Sequence, residues 1–378
     1  MNAEFAAAFA LDDGLVYLNH AGVAPWPVCA RDAAIAFARE NAASGAANYP
    51  RWIAVEQRLR DRLAQLIGAA GADDIALVPN TSAGLSIIAG GLDWRAGDNI
   101  VSFAGEFPSN RIVWQALAEQ GVELRLVSLS GDDPEHELLS ACDRNTRLIA
   151  VSAVQFHNGF RIDLERIGAE TQRRGILFCV DAIQWVGALR MDVGALNIDF
   201  LAADGHKWML GPEGIGVLWM RPELRERLTL HAHGWHMVER AEDFSATAWQ
   251  PAKTARRFEP GSPNLLGIHA LDAAVGLLLD TGLARVEQRV LDNTRAIMEH
   301  VQATSSLRLM SRAQAERRSG SVTFAVEGAS DHDVLRRHLA AAGVVGAARG
   351  GGLRFSPHFY QDWSDIERAF AALSQARR

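Results

Sequence analysis

Apolar and β-branched residues in this chain gather into short runs, set between longer stretches whose apolar positions recur at helical spacing. The runs are IALVP (75–79), NIVSF (99–103), ELRLVSL (123–129), RLIAVSAV (147–154), ILFCVD (176–181), IDFLAA (198–203) and GIGVLWM (214–220). Each has the length and composition of a strand. Helical spacing falls at about 51–67, 82–91, 109–120, 134–141 and 163–174, and several of these stretches open on Ser or Asp, which suit an N-cap. Strands alternating with helices predict an α/β fold with a mostly parallel central sheet covered by helices.

The alternation stops near Met220. The stretch WQPAKTARRFEPGSPN (249–264) is rich in proline and polar residues and marks a boundary, after which helices are predicted at about 265–279 and 282–303. SGSVTFAV (319–326), a helix near 331–342, GGLRFSP (351–357) and a final helix read as a smaller α+β unit. The expected division is a large α/β domain over residues 14–255 and a small α+β domain over 256–378, with residues 1–13 packing on the small one.

Composition narrows the function classes. A chain of 378 residues with 48% hydrophobic and 22% charged positions is too long for a stapled module and too apolar for disorder. The net charge of −7 offers no field to a nucleic-acid backbone or an anionic membrane surface. Cys29, Cys142 and Cys179 are odd in number and lack CxxC spacing, so a disulfide framework is not expected and a reducing, cytoplasmic setting is. The N-terminus has no basic region ahead of its apolar stretch, and the longest uncharged stretch, Ile75 to Leu92, is broken by Pro79 and polar residues, so no membrane segment is expected. His231, His233 and His236 lack acidic or thiolate companions, so no metal site is expected.

The chemistry concentrates in two neighbouring segments, FCVDAIQWVG (178–187) and FLAADGHKWMLGPEGIGVLW (200–219). Asp181 ends one strand, Gln184 follows it, and Lys207 lies just past the end of the next strand in a glycine-bounded turn. Ligands of open α/β sheets bind beyond the carboxyl ends of the strands, so Asp181 and Lys207 should converge. A carboxylate for a pyridinium nitrogen and a lysine able to form an imine are what pyridoxal 5'-phosphate requires. Thr81 and Ser82 open the helix after strand 75–79, where free amides and the positive helix end favour a phosphate.

These segments, together with YLNHAG (17–22), VPNTSAGL (78–85), GEFPSN (105–110), EPGSPN (259–264) and LRFSPHFY (353–360), resemble in order and spacing the class V aminotransferase family of pyridoxal-phosphate enzymes, which includes cysteine desulfurases, kynureninases and isopenicillin epimerase-like proteins. The resemblance implies fold type I and a homodimer acting on a small amino-acid substrate. It implies that Lys207 binds the cofactor as an imine and shuttles the Cα proton, Asp181 pairs with the ring nitrogen, and Gln184 and Gln155 lie by the ring hydroxyl. By the same likeness Phe107 stacks on the ring, Thr81, Ser82 and His206 hold the phosphate, and Ser262 reaches the phosphate of a neighbouring subunit. Arg354 clamps the substrate carboxylate, its planar fork matching that group. Asn19 and His20 are either turn residues or substrate contacts, and Trp235 or a nearby histidine either lines the pocket or does not. Asp204 stands where desulfurases carry a serine, and beside a phosphate it must turn away or be paired.

The implied activity is chemistry at the α-carbon of an amino acid, with transamination leading. A lyase (β-elimination, C–S or Cβ–Cγ cleavage) and an epimerase share its first step. Cysteine desulfurase activity is disfavoured, because no cysteine follows Cys179 to carry a persulfide. A catalytically silent homologue is the non-enzyme alternative, and Lys207, Asp181 and Arg354 together speak against it.

Overall fold

The computed structural model describes residues 3–376; residues 1, 2, 377 and 378, which fall within the expected domain bounds, lie outside the described residues. All seven predicted runs form one seven-stranded sheet. Its spatial order is Ile75–Val78, Gly216–Met220, Phe200–Asp204, Leu177–Asp181, Thr146–Ser152, Asn99–Phe103, Glu123–Val127. Neighbours are parallel except at Gly216–Met220, which runs antiparallel to both strands beside it. The cause is chain length: residues 205–215 join Phe200–Asp204 to Gly216–Met220, and a parallel return needs a crossover of about a dozen residues or more. That short return carries Lys207.

Most strands are buried throughout, whereas Glu123–Val127, at the sheet edge, leaves Glu123 and Leu126 exposed. Helices form at Tyr49–Ile67, Thr81–Gly91, Pro134–Ser140 and Leu164–Arg174. The predicted helix over 109–120 is α-helical at Ser109–Gln115 and tightens to a 3-10 turn at Ala116–Gln120, closed by Gly121 in the left-handed region at φ 77°. Val28–Ser44 is an additional helix with little amphipathic signal: its buried positions are only Ala30 and Ala34, which let it approach Leu265–Thr281 closely.

A second, four-stranded antiparallel sheet runs Ala347–Arg349, Gly352–Phe355, Val322–Val326, Leu307–Leu309. The helices Leu283–Ala303, His332–Ala341 and Trp363–Ala376 supply a core to it through Ile297, Leu339 and Phe370, which meet Phe324, Leu353 and Phe355. Val16–Tyr17 pairs in parallel with Val344–Val345, tying the N-terminal segment to the C-terminal part of the chain. Phe5 meets Phe359 edge-on at 4.9 Å and Phe9 stacks on Tyr360 at 3.6 Å between centroids.

One buried ionic cluster joins the two parts of the chain. Arg60, on Tyr49–Ile67, donates to Glu56 at 2.5 Å, to both oxygens of Glu259 at 2.6 and 2.8 Å, and to the Ile75 carbonyl at 2.8 Å. Glu259 also accepts the Leu77 amide at 2.9 Å, so this carboxylate fixes the start of the EPGSPN turn against a strand of the large sheet. Removing one member of a buried pair leaves the other charge uncompensated, which costs about 3–5 kcal/mol. Arg60→Met is therefore expected to lower the urea unfolding midpoint strongly; an unchanged midpoint contradicts this account.

Candidate functional site

Lys207 is held by a turn with no slack. Beyond strand Phe200–Asp204, the Gly205 amide donates to Ile215 O at 2.9 Å and the Gly211 amide to Gly205 O at 2.8 Å. Leu210 adopts a left-handed φ of 60°, a conformation that costs a non-glycine residue on the order of 1–3 kcal/mol and persists only where the surroundings impose it. They do so through Trp208, which is buried and donates its indole N–H to Gln184 Oε1 at 2.8 Å, while its carbonyl stands 3.0 Å from His358 Nε2. A Cβ on Gly187 would lie 2.3 Å from the Trp208 carbonyl oxygen, and one on Gly320 would lie 2.2 Å from its ring, so these glycines permit the close approach.

The lysine amine points inward. Lys207 is 8% exposed, its Nζ stands 5.5 Å from the centroid of the Phe107 ring, and Asp181, at the end of the adjacent strand, is 1% exposed. Burial lowers the Lys207 pKa to about 8; Asp181 opposes that shift, while Arg354 and Arg349 reinforce it. Burial raises the Asp181 carboxyl to about 7, the Ile183 amide and Lys207 pull it down, and Glu106 pushes it further up. Perturbed groups of opposite charge, brought together at strand ends, are the signature of a reactive site.

Arg354 enters from the second sheet. It is 2% exposed, donates to the Phe156 carbonyl and to Asn19 Oδ1 at 3.2 Å, and keeps its Nε unpartnered. Burial and the nearby Arg349 lower its pKa to about 10. Asn19 thus belongs to the site as the neighbour of Arg354. His20 does not reach it: it is fully buried, with Nδ1 2.8 Å from Ser356 O and Nε2 2.7 Å from the Tyr360 hydroxyl. The expected substrate contact of His20 is therefore corrected to a strut between the N-terminal segment and residues 356–360. Gln184 donates to Ala21 O at 3.0 Å and accepts from Trp208 at 2.8 Å, which braces the lysine turn.

Gln155 is fully buried, donates Nε2 to Glu106 at 3.0 Å and leaves Oε1 unpartnered. Glu106 is the residue that sequence reasoning passed over. Its carboxylate also accepts from the Ser152 amide at 2.9 Å, the Ser152 hydroxyl, and Asn110 at 3.0 Å. It thereby fixes both Gln155 and the backbone of its neighbour Phe107, which is 40% exposed. The available signal was an acidic residue inside GEFPSN with an amide four positions on.

At the start of helix Thr81–Gly91 the Asn80 side chain accepts the Ala83 amide at 2.9 Å, which leaves the Thr81 and Ser82 amides ahead of the helical ladder. Thr81 Oγ1 is buried without a partner, and the Ser82 hydroxyl donates to Ser109 at 2.7 Å. Asp204 Oδ2 lies 3.1 Å from His206 Nδ1, so the carboxylate is turned to the imidazole. Ser262 is exposed in the turn that follows Glu259. His231 stands 2.6 Å from Gly90 O, His233 meets Trp249 edge-on, and His236 packs against Trp235. Trp235 lines an open cavity of about 800 Å³ formed within residues 233–250, which shares none of the residues around Lys207.

Thr81 Oγ1, Gln155 Oε1, Asp204 Oδ1 and Arg354 Nε are buried and lack hydrogen-bond partners. Such groups cost free energy unless a ligand satisfies them. Their mixture of donors and acceptors around an amine, a carboxylate and an aromatic face fits pyridoxal phosphate.

The family model for class-V aminotransferases matches residues 16–368. A probable cysteine desulfurase of Methanothermobacter thermautotrophicus is 29% identical, covering 93% of this chain and 92% of that protein. An uncharacterized aminotransferase of Bacillus subtilis is 30% identical, with 85% and 84% covered. Among solved structures, the cysteine desulfurase CsdA of Escherichia coli superposes with TM-score 0.87 at 25% identity, covering 99% of this chain and 98% of that one. A mutant of C-DES with glycine covalently linked to the PLP cofactor gives TM-score 0.89 at 22% identity, covering 96% and 97%.

Because Lys207 is depressed to about 8, its neutral, nucleophilic form gains population as pH rises through that value. The rate of covalent capture of added pyridoxal phosphate is expected to climb with pH and level off above about pH 8. A rate still climbing toward about 10, the ordinary lysine range, contradicts the burial argument.

Proposed function

The chain belongs to the aminotransferase class-V family, of fold type I and dependent on pyridoxal phosphate, and from that footing we propose that it transaminates an amino acid, with Lys207 moving the α-proton. The observation that carries this reading is one buried amine, lowered to about 8, among Asp181, Phe107 and Arg354. When bound, the cofactor supplies an electron sink that acidifies the Cα–H bond. Asp181, buried and at a strand end, is suited to hold a proton at a ring nitrogen. Arg354, anchored by Phe156 and Asn19, offers its remaining N–H groups to the substrate carboxylate and so fixes which Cα bond faces the lysine. Phe107 closes the opposite face. Thr81, Ser82 and His206 are the phosphate-holding groups in this reading, and Ser262 on its exposed turn is free to serve a second subunit of a homodimer.

A persulfide route has no support in the three thiols. Cys29 donates to Ala273 O from helix Val28–Ser44, Cys142 donates to Leu138 O beyond helix Pro134–Ser140, and Cys179 is fully buried in its strand, with its pKa driven far up by burial. A second reading, elimination at Cβ with C–S cleavage, is favoured by the likeness to C-DES, a cystine C-S lyase, and uses the same first proton transfer. Product analysis separates the two: transamination yields a keto acid only with an amino acceptor, whereas elimination releases ammonia and pyruvate without one. Lys207→Ala is expected to reduce turnover by about 10²–10⁴-fold or more, and full activity in that variant rejects the lysine's role.

A further inference from the structure

The hairpin that presents Arg354 presents a second arginine on the same face. Ala347 pairs with Arg354, Ala348 with Leu353 and Arg349 with Gly352. Residues directly opposite one another share a face, and successive residues alternate. Leu353 packs into the helix-covered core, so Arg349 and Arg354 both project from the other face, the one that meets the lysine site. Their cross-strand partners, Gly352 and Ala347, are the two smallest residues, so no bulky side chain stands between the two guanidinium groups.

Arg349 has no use within the fold that accounts for its charge. It is exposed, donates one N–H to Ala348 O at 2.9 Å, and forms no ion pair among the described residues. Asp333, whose charge senses Arg349, is paired with Arg336 at 3.0 Å. The adjoining wall is His157: a Cβ on Gly105 would lie 3.1 Å from its ring and one on Gly350 3.6 Å, so both glycines make room for the imidazole. Burial and Arg354 hold His157 below its usual range, so it adds no charge of its own near neutrality. Lys207, Arg354 and Arg349 thus face one space, with each arginine lowering the pKa of Lys207. Asp181 answers one of the three positive charges, and Asp204 is turned to His206. A substrate α-carboxylate on Arg354 answers a second and leaves Arg349 with only the Asp333 carboxylate, itself paired with Arg336.

We propose that Arg349 binds a second carboxylate, and that the substrate class is therefore dicarboxylic amino acids, held at one end by Arg354 and at the other by Arg349. Arg349 stands opposite Gly352, two positions from Arg354 on that strand, a diagonal of about 7–8 Å that two long, forked side chains can close onto a short diacid.

This inference rests on the amino-acid chemistry proposed above, and the test separates the two. The holoenzyme is titrated with L-aspartate, L-glutamate, L-asparagine and L-glutamine, reading both the visible spectrum and kcat/KM. The acids are expected to be preferred over their amides. Arg349→Gln should cut the acid-over-amide ratio by about ten- to a hundredfold, mainly through KM, as expected for loss of a charge-assisted bidentate contact. Arg349→Lys should retain part of the preference, since a point charge replaces the fork. Amides equal to acids in the parent enzyme, or an unchanged ratio in a folded Arg349→Gln variant, overturn the proposal while leaving transamination standing. Failure of every amino acid to perturb the spectrum overturns the amino-acid reading and this inference with it.

Discussion

Keeping a lysine amine out of water, in a turn that cannot relax, is the constraint on which the rest of this molecule depends. A buried ammonium is unfavourable, and Asp181 on the neighbouring strand only partly offsets that. Strain is the other cost, visible in the left-handed Leu210. Both are sustained because Trp208 is gripped from several sides by Gln184, His358, Gly187 and Gly320. The residues that brace the turn come from three distant parts of the sequence, so the amine is positioned only once the whole chain has assembled.

The same logic explains why the site lies between the two sheets. The large sheet contributes Asp181 and Lys207 at the carboxyl ends of its strands, as open α/β architecture favours. The arginine that suits a carboxylate arrives from the smaller sheet, and its position is secured by the N-terminal segment. Leu18 donates to Val345 O at 2.7 Å and accepts from the Ser356 amide at 2.7 Å, which threads this segment between the two C-terminal strands. His20 then bridges Ser356 and Tyr360, so loss of that imidazole would loosen Arg354 without removing any group that touches substrate.

Much of this was legible in the residues. All seven strands of the large sheet were visible as short runs: the central ones because strands covered on both faces lack competing polar signals, and the edge strand Glu123–Val127 because its residues alternate. Asp181 and Lys207 were legible because each directly follows or ends such a run. What escaped has physical reasons. The helix Val28–Ser44 buries alanines, which carry almost no periodic signal. Strands as short as Val344–Val345 and Leu307–Leu309 take their form from neighbours rather than from their own composition. His20 looks like a site residue in sequence, because a polar side chain near a motif reads the same whether it faces ligand or clasps backbone. Glu106 went unread for the converse reason: a single acidic residue in a turn suggests solvent, whereas here four donors surround it.

The chain carries only two lysines, Lys207 and the exposed Lys253. That makes one measurement unusually direct: load the protein with pyridoxal phosphate, reduce with borohydride, and map the labelled peptide by mass spectrometry. The account predicts stoichiometric label on Lys207 and none on Lys253. Label on Lys253, or on neither lysine, would contradict the claim that the buried amine of the 205–215 turn is the reactive centre of this protein.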